Sequence, residues 1–142
     1  LAIRPMMQFL WSAFRVALGF ALGTLFGWGL GQHLQDLCAP DVIRPALNDP
    51  DLLASFLKML PPTAHAMRLL ANGGGMVLGF AVLNGIGRPS RSESLALAAL
   101  FLLASLMNLF RAPHGMTLSL LTMATAFTSV GIGISMTGTS EP

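Results

Sequence analysis

Three histidines, His33, His65 and His114, are the side chains in this sequence best suited to hold a metal ion or a haem iron. With the single cysteine, Cys38, they fall on one side of a membrane in the four-span arrangement argued below. No two of them have the i,i+4 spacing that places both imidazoles on one helix face. They stand as metal candidates, and no cofactor is predicted. Arg68 and Arg111 share that side and have the chemistry to hold an anionic lipid headgroup in a basic pocket between helices. Arg15, one turn past Trp11, is expected to snorkel, its stem covering apolar surface and its head reaching lipid headgroups. A buried ion pair is the alternative for Arg15. Asn72, Asn84 and Asn108 are the amides inside apolar segments and are expected to hydrogen-bond across helices.

What is missing excludes several activities. The apolar stretches Phe9–Gly31, Leu69–Ile86, Leu95–Phe110 and Met116–Met136 contain no Asp, Glu or Lys. A rotor-type proton carrier needs a carboxylate at that depth, so this chain is not one. There is no glycine-rich phosphate loop ending in Lys-Ser/Thr and no His-Glu-x-x-His pattern. Gly73-Gly74-Gly75 lies inside an apolar run, without the strand–helix context of a nucleotide site. Nothing reads as a hydrolytic nucleophile, and the protein is not expected to be an enzyme.

The strongest pattern concerns packing. Gly19, Gly23, Gly27 and Gly31 recur every fourth residue, which gives a helix a groove free of side chains. Gly75 and Gly79 repeat the interval in a second segment, and Thr125, Ser129, Gly133 and Thr137 in another. Lipid tails are as apolar as leucine, so close van der Waals contact and interhelical hydrogen bonds must drive association. These residues are expected to form helix-packing interfaces, either within the chain or against another subunit.

The elements that carry these residues follow from length and hydropathy. Of 142 residues, 54% are hydrophobic and 10% charged, and the mean hydropathy is +0.68. A soluble domain carries about 25% charged residues, so charge here suffices only for loops and ends. A hydrocarbon core of ~30 Å takes roughly 20 helical residues to cross, and crossing segments without pairing partners must be helical. The expectation is an all-α integral membrane bundle of four transmembrane helices, at about 9–31, 65–86, 92–111 and 114–137, forming one membrane domain. The net charge of +2 comes from dispersed basic residues, so nucleic acid is not an expected partner.

The long first loop, Gln32 to Thr63, contains Asp49-Pro50 as a helix start and apolar residues at helical spacing up to Pro61-Pro62. A short amphipathic interfacial helix is expected at about 50–60. Ser90 and Glu93 have capping-box spacing at the start of the third span. Short connections predict that spans two, three and four are antiparallel neighbours. The N-terminus, the 87–93 turn and the C-terminus then share one side. Basic residues divide evenly between the two sides, so their distribution gives no sidedness. A start at Leu1 rather than Met means either that the first residues are not included or that a leader was removed, and the second would fit an organelle-imported protein.

Residues 68 to 134 resemble the small four-span bacterial membrane proteins related to the DoxX family. The likeness lies in Arg68 leading Leu-Leu-Ala-Asn-Gly-Gly-Gly, in the Leu100-Phe101-Leu102 core of a Leu/Ala-rich span, and in Arg111 with Gly115 at a turn. It implies an accessory membrane part, in some members beside quinone-linked oxidoreductases. The functional expectation is a non-catalytic accessory subunit of a larger respiratory or photosynthetic membrane complex. It would dock on other membrane subunits through its small-residue faces and bind phospholipid, in the mitochondrial inner membrane or another energy-transducing membrane. Two alternatives stand beside it: a stand-alone small transporter, channel or lipid-handling protein, and a histidine-liganded haem or metal anchor. The transporter alternative requires the asparagines and the Thr/Ser stripe to converge on one cavity.

Overall fold

The computed structural model describes residues 3–38, 51, 55, 58–111 and 116–137, leaving the Arg111 side chain outside. It is an all-α bundle of four helices: α1 (Ile3–Cys38), α2 (Pro62–Gly85), α3 (Arg91–Arg111) and α4 (Met116–Thr137). All four are long and apolar enough to cross a bilayer, so this is an integral membrane protein. Most of the interfacial helix expected at 50–60 lies outside the described residues; residues 51, 55, 58 and 59 within it are helical.

The helices begin where their chemistry allows. Pro5 sits in the first turn of α1 and Pro62 opens α2, positions where the missing N–H has no partner to lose. At the start of α3 the capping box forms: Ser90 N–H donates to Glu93 Oε1 at 2.9 Å, and Glu93 N–H to Ser90 Oγ at 3.2 Å. Gly87, between α2 and α3, has φ +150°, a conformation open to glycine and strained for other residues.

α1 is longer than the span expected for it. Its 36 residues reach from Ile3 to Cys38, roughly 54 Å of helix. The segment from Gln32 to Cys38, expected as loop, contains neither proline nor glycine, and buried Gln35 ties it to Arg68 of α2. At the other end, residues 3 to 11 are all exposed.

The order of the helices around the bundle is α1, α2, α4, α3. α2 and α3 are joined by a short turn yet lie diagonally across the bundle, contrary to the expected neighbour relation, and meet mainly through Phe101 against Gly79 and Phe80. The glycine faces outweigh the connection. On α1, Gly19 meets Gly79, Gly23 meets Gly75 and Gly27 meets Ala71, fixing an antiparallel α1–α2 pair at near-backbone contact. A Cβ added at Gly23 would lie 2.5 Å from the Gly75 carbonyl oxygen, closer than real atoms approach. On its other flank α2 receives α4. Gly73 lies against Thr125 and Ser129, and the Phe80 ring occupies the notch at Gly133. Phe80, Leu83, Leu97 and Phe101 form the centre of the core, with Phe20 and Phe80 rings 5.4 and 6.0 Å from Phe101.

Candidate functional site

Two polar clusters lie at opposite ends of this core. The first surrounds Arg15, which is buried and does not snorkel. Its Nη1 donates to both Glu93 carboxylate oxygens, at 3.1 and 3.0 Å. Its Nη2 donates to the Leu83 carbonyl at 3.2 Å and to the Gly87 carbonyl. Arg15 thus takes up orphan carbonyls at the C-terminal end of α2 while pairing with the first turn of α3. Glu93 serves both the capping box and the ion pair. The expected lipid-headgroup role of Arg15 is corrected: burial beside α3 puts a fixed carboxylate within closer reach than any headgroup. Beside it, Ser94 Oγ–H donates to Thr137 Oγ1 at 3.3 Å and ties the end of α4 to the start of α3.

α1 and α3 run parallel from this cluster, each step pairing residues four apart. Arg15 meets Glu93, the Leu97 side chain lies 3.4 Å from a Cβ built at Gly19, and the Phe101 ring fills the notch at Gly23. The next step along that register brings Gly27 towards Ser105, and neither side chain can fill the space. A cleft of about 370 Å³ opens there. All four helices line it: Gly23, Thr24, Gly27 and Trp28 from α1, Arg68, Leu69, Asn72 and Met76 from α2, Phe101, Ala104, Ser105, Met107 and Asn108 from α3, and Thr122, Thr125 and Ala126 from α4. The exposed lining residues, Thr24, Trp28, Met107 and Asn108, belong to α1 and α3. The mouth therefore lies between those two helices and faces the lipid side of the bundle.

Arg68 is half-buried in this wall, with Nη1 donating to Gln35 Oε1 at 3.1 Å. Gln35 is buried, and its Nε2 has no hydrogen-bond partner among the described residues. Thr122 and Thr125 donate their hydroxyl protons to the Leu118 and Leu121 carbonyls, each at 2.8 Å. Among the described residues no hydrogen bond reaches the Asn72, Asn84 or Asn108 amides, so the expected bonds across helices are absent. Asn72 and Asn108 face the cleft instead, and Asn84 is exposed.

The other candidates separate. Gly19, Gly23, Gly27, Gly31, Gly75, Gly79, Ser129, Gly133 and Thr137 are buried in contacts within this chain, and Thr125 is half-buried beside them. The Arg111 side chain and His114 lie outside the described residues. His33 is exposed and His65 half-buried. Among the described residues no three His, Cys, Asp or Glu side chains gather in a way that could hold a metal ion.

No family model, curated protein or solved structure matches this chain. The likeness to DoxX-related proteins rests on the residues quoted for it.

The sequence carried one unread signal for the Arg15–Glu93 pair. Glu93 is the lone acid between Asp51 and Glu141, and Arg15 the lone arginine or lysine between Arg4 and Arg44. The expected topology already set both on one membrane side.

Proposed function

We propose that this protein is a non-catalytic, lipid-handling membrane protein that receives an amphiphilic molecule from the bilayer into the cleft between α1 and α3. The observation that carries this reading is the convergence of polar groups from all four helices on one cleft whose mouth faces lipid. Its volume falls within the range of about 300–1,000 Å³ common to small-molecule sites. Among the described residues no histidine, cysteine or carboxylate lines it, which supports binding rather than catalysis. The convergence is the condition set for a transporter or lipid-handling protein. Asn72, Asn108 and Thr125 meet it, whereas Asn84 is exposed, Ser129 packs against Gly73 and Thr137 bonds Ser94, so the convergence is partial. Purification in mild detergent followed by native mass spectrometry tests the reading. One amphiphile retained per chain, and lost when Ala104→Phe narrows the cleft, is the expected result; a chain that neither carries nor takes up any amphiphile overturns it.

A second reading, the accessory subunit, keeps one observation in its favour. The glycine ladder that motivated it is occupied by α2. The first three turns of α1, however, project past the α2–α3 turn and expose Ile3, Met6, Met7, Phe9, Leu10 and Trp11. In an energy-transducing membrane this projection would be the docking surface for another subunit, with phospholipid filling the gaps. Replacing Met6, Phe9 and Leu10 by serine is then expected to release the protein from its assembly. An unchanged elution size from native membranes removes the reading.

A further inference from the structure

We propose that the cleft takes an uncharged, single-chain amphiphile whose headgroup both donates and accepts hydrogen bonds, a hydroxyl or a glycerol ester, held between the Asn72 and Asn108 amides. This rests on the amphiphile-binding reading and adds the headgroup chemistry of the occupant.

Asn72 stands roughly 15 Å along α2 from Pro62 and about 20 Å from Gly85. It therefore lies near the middle of a crossing helix, where lipid offers no hydrogen-bond partner. Its side chain is half-buried on the cleft wall, and among the described residues nothing bonds its amide. Asn108 stands at the mouth, exposed and likewise unbonded. The two amides lie at one level of the bundle. A Cβ built at Gly31 is 3.7 Å from Asn72 Oδ1. The register that sets Gly27 beside Ser105 sets Gly31 beside Leu109, one residue from Asn108.

Charge disfavours an ionic headgroup. Arg68 is the one ionisable residue of the lining, and it is engaged within the protein. It bonds Gln35 and has a further interaction, and Asp36, one residue beyond Gln35, is engaged as well. A charged headgroup would lose its hydration on entering and find no counterion reserved for it. Hydrogen-bond chemistry selects instead. Each amide has two N–H donors and a carbonyl acceptor. The Thr122 and Thr125 hydroxyls have given their protons to the backbone and keep acceptor lone pairs. The polar wall thus calls for an acceptor to meet the amides and a proton to meet the threonines. A hydroxyl supplies both; an ether supplies only the first. Beyond this wall Met76, Ala126 and the Phe101 ring give apolar surface for the tail. At about 370 Å³ the cleft is near the small end of ligand sites, which suits one chain rather than two.

The experiment adds probes with one twelve-carbon tail, separately and at equal concentration, to protein in a nonionic detergent. They are dodecanol, glycerol monododecanoate, dodecyl methyl ether, dodecanoate and dodecyltrimethylammonium, and native mass spectrometry reads the fraction of chains carrying one adduct. Dodecanol and the glycerol ester are expected to bind about tenfold more tightly than the ether, the scale of one well-made hydrogen bond, and more tightly than either ion. Asn72→Leu combined with Asn108→Leu removes the preference for hydroxyl over ether and leaves ether binding unchanged. Asn108→Leu alone, at an exposed position, removes part of it, so a folding defect at Asn72 cannot mimic the result. The alcohol and glycerol arms distinguish a lone hydroxyl from a glyceride headgroup. Ether or ion binding as tight as that of dodecanol, or a hydroxyl preference that survives the double variant, overturns the proposal while leaving the cleft as an amphiphile site. Absence of any adduct removes the amphiphile reading itself.

Discussion

The two arginine environments, one at each end of the core, solve the same problem in opposite ways. At the α2–α3 turn, Arg15 is enclosed with a carboxylate on one side and two carbonyl oxygens on the other. At the other end Arg68 is half-buried, bonded to an amide, and borders unfilled space. The difference comes from the steps between α1 and α3. Glu93, Leu97 and Phe101 reach into the glycine face of α1, and Ser105 does not. One end is a closed structural joint; the other is a site.

The sharpest break of this contrast is Glu93→Gln. Glutamine keeps the capping box but leaves Arg15 charged and buried without its counterion. Removing one partner of a buried pair costs about 3–5 kcal/mol, so detergent melting should fall steeply. Adding Arg15→Met to that variant is expected to recover much of the loss, because replacing both charges by apolar volume is often close to neutral. A double variant no better than Glu93→Gln would mean that Arg15 acts mainly through the Leu83 and Gly87 carbonyls.

Next comes the glycine face. Gly23→Leu should cost about 1–3 kcal/mol or more, as over-packing does. Added Cβ atoms grade the series: 2.5 Å from the nearest atom at Gly23, 3.3 Å at Gly27 and 3.5 Å at Gly31. Alanine scanning at these three positions should therefore lower the melting temperature in that order. Equal effects would contradict the register between α1 and α2.

The smallest expected effect on stability is at Arg68. Arg68→Gln gives up the bond to Gln35, worth about 1.5 kcal/mol for a charged donor, and its melting temperature should fall less than that of Glu93→Gln. A loss comparable to that of Glu93→Gln would make Arg68 a second structural joint.

Much of this was legible in the sequence, because it depended on composition or on residues near one another in the chain. Apolar length marked the helices, and Ser90 with Glu93 marked a cap that the structure forms. The interval of four marked the α1 face, though not which helix would occupy it. What escaped depended on the relation between distant helices. Snorkelling was the natural reading of Arg15 while Glu93 was seen only as a cap. The order α1, α2, α4, α3 cannot be read from loop length, since the short α2–α3 turn connects helices that lie diagonally across the bundle. The cleft is a gap between Gly27 and Ser105, and a gap has no residue to announce it. Arg68, Asn72 and Asn108 were visible one by one; only the assembled bundle brings them to one cleft.

The division of labour between the two ends is tested most directly by one set of melting curves. Wild type, Glu93→Gln and Ala104→Phe are each melted in nonionic detergent, alone and with saturating dodecanol. Glu93→Gln should melt well below wild type yet still gain stability from the amphiphile. Ala104→Phe, which narrows the cleft, should melt close to wild type and gain nothing. If Ala104→Phe keeps the full ligand shift, or if Glu93→Gln loses the shift while melting normally, the closed and open ends have been assigned the wrong way round.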